Sequence, residues 1–127
     1  MFVAALALAM VPVPDRPAPA PREVVKAFYD AANNGRVTEA RDYFTPATVK
    51  LIESALGGQR AFESFCQDQT ERGTMTRLEV VDERVDSRAA KVGVRLTFKG
   101  GGLALRTEYL ENRDGRWRLA NEPSTTP

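Results

Sequence analysis

The sequence predicts an α+β domain in which helices come first and an antiparallel meander follows. Three observations carry that reading. Apolar residues recur at near-helical spacing from Val24 to Cys66, then every second residue from Leu78 onward, so the period changes once, near Gly73. Asn33-Asn34-Gly35, Gly57-Gly58 and Gly73 divide the first half into short helices. Gly100-Gly101-Gly102 and Asp114-Gly115 divide the second half into strands. Helices and strands that occupy separate stretches define α+β. A chain of 127 residues fits one domain with one core.

The first helix is expected from Pro21, because a proline at the first helical position sacrifices no hydrogen bond. Val24, Val25, Phe28, Ala31 and Ala32 form its apolar stripe, and Gly35 closes it in the left-handed region. A short second helix starts near Thr38, with Ala40, Tyr43 and Phe44 on one side. Thr45-Pro46 caps and opens a third, which turns Val49, Ile52 and Leu56 one way. Gln59 to Arg72 reads as a fourth, with Phe62, Phe65, Cys66 and Gln69 together.

The first strand is expected over Leu78 to Val85, where adjacent Val80 and Val81 call for a β-bulge or burial on both faces. The second alternates cleanly, with Ala90, Val92, Val94, Leu96 and Phe98 against Lys91, Arg95 and Lys99. Pairing Phe98 with Leu103 sets Leu103, Leu105, Thr107 and Tyr109 on the same face as that apolar row. Reading Arg113-Asp114-Gly115 as a three-residue hairpin loop sets Tyr109 opposite Leu119 and Glu111 opposite Trp117. The inner face then runs through Trp117 and Leu119 and needs the helices as its cover. Its polar members would be Thr107, Tyr109, Glu111 and Asn121. The outer face would carry Lys91, Arg95, Lys99, Arg106, Arg116 and Arg118, with Glu108 and Glu122 among them. Arg95 would stand opposite Arg106.

Composition limits the chemistry. Net charge is +1, so bulk charge points to no polyanionic partner. There is one cysteine and no histidine, which leaves no internal disulfide, no zinc cluster and none of the usual neutral-pH acid–base residue. No cofactor or metal is indicated. The glycines at 100–102 precede no helix, so they do not form a phosphate cradle. The basic face lacks aromatics, which argues against nucleic acid.

Residues 1–20 read as a signal-like apolar segment, MFVAALALAM, followed by a proline-rich linker, with Ala-Leu-Ala at 7–9 as the cleavage motif. The folded domain is expected over 21–123, with a short tail at 124–127. If the leader is a signal, the domain is exported to the periplasm or beyond; otherwise it is cytoplasmic. No basic residue precedes the apolar run, so either it is no signal or the true start lies upstream.

"PREVVKAFYDAANNGRVTEARDYFTP" and "TEYLENRDGRWRLANEP" resemble the opening helices and the closing hairpin of the nuclear transport factor two-like (cystatin-like) superfamily. The nearest resemblance is to its small exported bacterial members of unknown function. It covers about Pro21 to Pro123. It implies a curved meander sheet wrapped around the helices as a cone with a cavity, in a monomer or a homodimer. Superfamily members include enzymes and non-catalytic binding domains, so fold leaves function open. Tyr29, Tyr43, Tyr109 and Trp117 are the residues expected to line a cavity mouth. Asp30 and Asp42 read as solvated helix residues, and Cys66 as packing rather than a nucleophile.

The favoured reading is a non-catalytic extracytoplasmic binding or accessory domain, taking a small apolar ligand or a protein partner. One alternative is an isomerase- or cyclase-like enzyme acting in the cone on a small apolar substrate. The other is recognition of an acidic partner by the basic outer face, at Arg95, Arg106 and Arg118.

Overall fold

The computed structural model describes residues 18–58 and 60–122. The apolar leader, the linker up to Pro17, Pro123 and the tail lie outside the described residues. Four helices come first: α1 (Pro21–Asn33), α2 (Val37–Asp42), α3 (Pro46–Leu56) and α4 (Ala61–Thr70). Four strands follow: β1 (Met75–Val85), β2 (Ala89–Phe98), β3 (Leu103–Arg113) and β4 (Arg116–Ala120). They form one antiparallel sheet in the order β1-β2-β3-β4, so the α+β meander stands as expected.

Local chemistry sets the helix boundaries. α1 opens at Pro21, where Glu23 accepts a hydrogen bond from the Ala20 amide at 2.9 Å. α3 is capped by Thr45, whose hydroxyl accepts from the Thr48 amide at 3.2 Å. α4 ends earlier than the spacing suggests. Glu71 and Arg72 turn left-handed, with φ of 50° and 61°, and the Thr70 hydroxyl accepts from the Gly73 amide at 3.1 Å. Gly73 is required twice over: its φ is +78°, and a Cβ there would lie 3.0 Å from the Asn33 carbonyl oxygen.

The helical layer is pinned to each sheet edge at one residue. Asn33 donates to the Met75 carbonyl at 2.9 Å and accepts from its amide at 3.0 Å, standing in for a neighbouring strand beside β1. At the other edge Phe44 bridges Leu119 in parallel, with Thr45 N–H to Leu119 O at 2.9 Å and Leu119 N–H to Tyr43 O at 2.7 Å. Between the layers, Val25, Phe28 and Tyr29 of α1 meet Val92, Val94, Leu96 and Phe98 of β2, all buried. Phe28 and Phe44 pack edge to face, with ring centroids 5.0 Å apart.

The register of β3 departs from expectation by one residue. Phe98 donates its amide to the Gly102 carbonyl at 2.9 Å, so Thr97, not Phe98, stands opposite Leu103. A one-residue slip moves every side chain of a strand to the other face. Ala104, Arg106, Glu108 and Leu110 therefore point inward, across from Leu96, Val94, Val92 and Ala90. Leu103 and Leu105 point out, 66% and 75% exposed. Thr107, Tyr109 and Glu111, expected inside, share that outer face. The closing hairpin slips as well. Asp114 and Gly115 both have positive φ, 56° and 77°, which makes a two-residue type I′ turn that pairs Arg113 with Arg116. The second slip cancels the first, so Trp117 and Leu119 still face the helices. In β1 the bulge at Val80-Val81 is present: the register shifts between Val80 and Asp82, and Val81 is exposed.

Candidate functional site

The inversion of β3 carries charge into the interior. The Tyr29 hydroxyl, fully buried on α1, donates to Glu108 Oε2 at 2.5 Å. Two residues earlier on the same inner face, Arg106 donates through Nη1 to both the backbone carbonyl and the side-chain oxygen of Gln69, at 2.8 and 2.5 Å. Tyr29, Gln69, Arg106 and Glu108 thus form a polar seam between α1, α4 and β3. Among the described residues no buried side-chain nitrogen or oxygen lacks a partner.

Burial dominates the electrostatics of this seam. It pushes the Glu108 carboxyl above the ordinary carboxylate range, against the opposing pull of the Tyr29 hydrogen bond and the Arg106 charge. Burial also pushes the Tyr29 phenol far upward, and the neighbouring Glu108 charge adds to the shift. A carboxyl raised by desolvation beside a phenol can hold or pass a proton. Here each group is engaged by a neighbour on the protein itself.

The four residues expected at a cavity mouth are dispersed. Tyr29 is inside, and Trp117 is half-buried on the same side of the sheet. Tyr43 is half-buried outside that seam, its hydroxyl bonded to Glu39 at 3.1 Å. Tyr109 lies on the outer face beneath Lys91, whose Nζ is 5.9 Å from the ring centroid. The basic face is also redrawn. Arg106 is inside, and Arg95 stands opposite Leu105 while pairing with Glu79 at 3.1 Å. Arg118 stays on the outer face. Asp30 and Asp42 are exposed and paired with Arg36 and Arg116, at 2.7 and 3.3 Å. Cys66 is buried, which pushes its thiol up to about 11. Glu108 was the inward acid missing from the inward set read from sequence; the signal for it was a two-residue Asp114-Gly115 turn combined with inward Trp117 and Leu119, which together put Leu110 and Glu108 on the inner face.

Several concavities lie away from the seam among the described residues. One of about 490 Å³ runs along Arg84, Lys91, Tyr109 and Ala120 on the outer side of the sheet. A second, about 780 Å³, lies between α2, α3 and Arg118. A third, about 340 Å³, is lined by Thr45, Pro46, Glu111, Arg113, Asp114, Arg116 and Arg118 at the closing hairpin. No helix among the described residues is long and apolar enough to cross a membrane.

Comparison with known proteins agrees with this architecture. Residues 17–120 match the family described as "Domain of unknown function (DUF4878)". A crystal structure from Campylobacter jejuni, described as a "Putative NTF2-like transpeptidase", superposes with a TM-score of 0.61 at 12% identity, over 82% of this chain and 100% of the other. A solution structure of a SEC-C motif-containing protein from Rhodopseudomonas palustris superposes with a TM-score of 0.57 at 15% identity, over 87% and 83%. At such identities the likeness is one of fold. No curated protein sequence matches the chain.

Proposed function

Since this chain belongs to the DUF4878 family, an NTF2-like family of unknown function, we propose that it is an exported, non-catalytic binding or accessory domain whose contact surface lies outside the cone. The carrying observation is the self-satisfied interior. Tyr29 is spent on Glu108, and Arg106 on Gln69. Phe28, Tyr29, Val92 and Val94 fill the space between the layers with no exposure of their own. A ligand entering the seam would have to break hydrogen bonds that now satisfy buried groups, at a cost of ~1–3 kcal/mol each. Acyl transfer of the kind named for the Campylobacter jejuni protein needs an activated nucleophile. Cys66 is buried with a raised thiol, and the chain holds no histidine to activate it.

A second reading rests on one observation. Glu108 is an inward carboxyl with a raised pKa, the type of group an isomerase- or cyclase-like site requires. One experiment separates the two. The chain and its Tyr29→Phe and Glu108→Gln variants are screened by thermal shift and turnover against small apolar compounds, carbonyl-bearing ones included. The binding-domain reading predicts no turnover, and ligand-induced shifts that survive both substitutions. Turnover or stabilisation that vanishes in both variants would move the function inside. Export is tested by fusing residues 1–20 to a reporter active only outside the cytoplasm; an inactive fusion would remove that part of the proposal.

A further inference from the structure

The closing hairpin carries an arrangement that the fold itself does not need. Its register sets Arg113 directly opposite Arg116 on the outer face, and Arg118 follows two residues along β4. Like charges paired across strands repel. The acids nearby only partly answer this. Glu111 is taken by Arg113 at 3.2 Å, and Asp42 reaches Arg116 at 3.3 Å from an exposed position. Arg118 stands opposite Glu111 in the register, but it is only half-exposed and has no carboxylate within 4.0 Å among the described residues. All three arginines line the same concavity of about 340 Å³, where they outnumber its two acids, Glu111 and Asp114.

The scaffold beneath them is stiff. The two-residue turn fixes the hairpin tip, and β4 is bonded on both sides, to β3 and to the Tyr43–Thr45 segment. Positions opposite each other lie ~5 Å apart, and positions two along a strand ~6.5 Å apart. Three planar forks rooted at such spacing can reach one doubly charged oxyanion, which can accept N–H bonds from each. An isolated carboxylate could use only one of them well.

We propose that this hairpin concavity binds a phosphoryl group, through Arg116 and Arg118 with Arg113 at its rim. The proposal rests on the outside-surface reading given above and names the chemistry of its ligand. The phosphoryl group can belong to a soluble ligand or to a lipid headgroup. Both sources present the same oxyanion.

The test uses the full chain at low salt, with two probes. Inorganic pyrophosphate is titrated by calorimetry and by amide chemical shifts. Phosphatidylcholine vesicles, with and without phosphatidic acid, are tested by co-sedimentation. Saturable binding is expected, with shifts at Thr45 and Glu111–Arg118. Arg116→Gln with Arg118→Gln should weaken it roughly tenfold or more. Arg95→Gln, on the same face but paired to Glu79, should leave it within about twofold. If the double variant fails to fold, Arg118→Gln alone carries the test. Pyrophosphate binding without vesicle retention assigns a soluble ligand, and the converse assigns a lipid headgroup. No binding in either arm, or equal loss in Arg95→Gln, overturns the phosphoryl site and leaves the outside-surface reading standing. Shifts centred instead on Tyr29 and Glu108 would overturn both.

Discussion

β2 and β3 are neighbours in the sheet and follow opposite rules. In β2 the apolar residues Val92, Val94, Leu96 and Phe98 face the helices, and Lys91 and Arg95 face water. In β3 two leucines face water while Arg106 and Glu108 face the helices. The contrast teaches that alternation shows that a segment is a strand but not which face is buried. In β2 the two rows differ so much that only one phase can be buried. In β3 either row can go inside, and the turns decide. The phase chosen is then held by partners waiting across the interface, Tyr29 for Glu108 and Gln69 for Arg106.

The largest effect should come from breaking the apolar row. Leu96 is fully buried, so Leu96→Ala should cost ~2–5 kcal/mol in denaturant unfolding. A loss under ~1 kcal/mol would mean that β2 is not the centre of the core.

Next comes the polar seam. Tyr29→Phe removes the hydroxyl that Glu108 accepts from and should cost ~1–3 kcal/mol, measured the same way. Adding Glu108→Leu to Tyr29→Phe should recover part of that loss, because the stranded carboxyl is gone. Failure of the second change to compensate would show that the two groups are not coupled.

A subtler effect is a dependence on pH. Glu108 is raised above its ordinary value of 4.5 by burial, so the folded chain holds this proton to higher pH than the unfolded chain does. Its contribution is most favourable below the ordinary range and is lost as pH rises through the folded value. Glu108→Gln removes this dependence. The melting temperature of the variant relative to the native chain should therefore be highest at neutral pH, and the gap should shrink on acidification toward pH ~4. A gap that widens on acidification would assign the opposite shift.

The smallest effect belongs to the outward leucines. Leu105→Ser should change stability by no more than ~0.5 kcal/mol, since the side chain is 75% exposed. A loss as large as that of Leu96→Ala would place Leu105 in the core and erase the contrast between the strands.

Much of the fold was legible in the sequence, and the reasons are local. Pro21 and Thr45-Pro46 fix a backbone conformation with little help from tertiary contacts, and Gly73 does so through its positive φ. Val80-Val81 left a bulge or burial on both faces open, and the bulge is what forms. The sheet order followed from short connections. The site was less legible, because it depends on loop lengths counted to a single residue. Gly102 pairs with Phe98 instead of extending the turn, and Asp114-Gly115 closes the hairpin without Arg113. Each miscount inverts a strand, and the two cancel at β4, so Trp117 and Leu119 come out on the expected side while Arg106, Glu108 and Tyr109 do not. Gln69 was placed correctly on its helix, but its partner across the fold is set by the register of β3 alone.

The inward phase of Arg106 and Glu108 is the claim on which the seam, the outward leucines and the hairpin arginines all depend. Methyl–methyl nuclear Overhauser contacts measured from Leu96 test it most directly. The account predicts a strong contact to the Ala104 methyl, its partner across the strands, and none to the methyls of Leu105. Strong contacts from Leu96 to Leu105, with Ala104 silent, would show β3 in the opposite phase and contradict it.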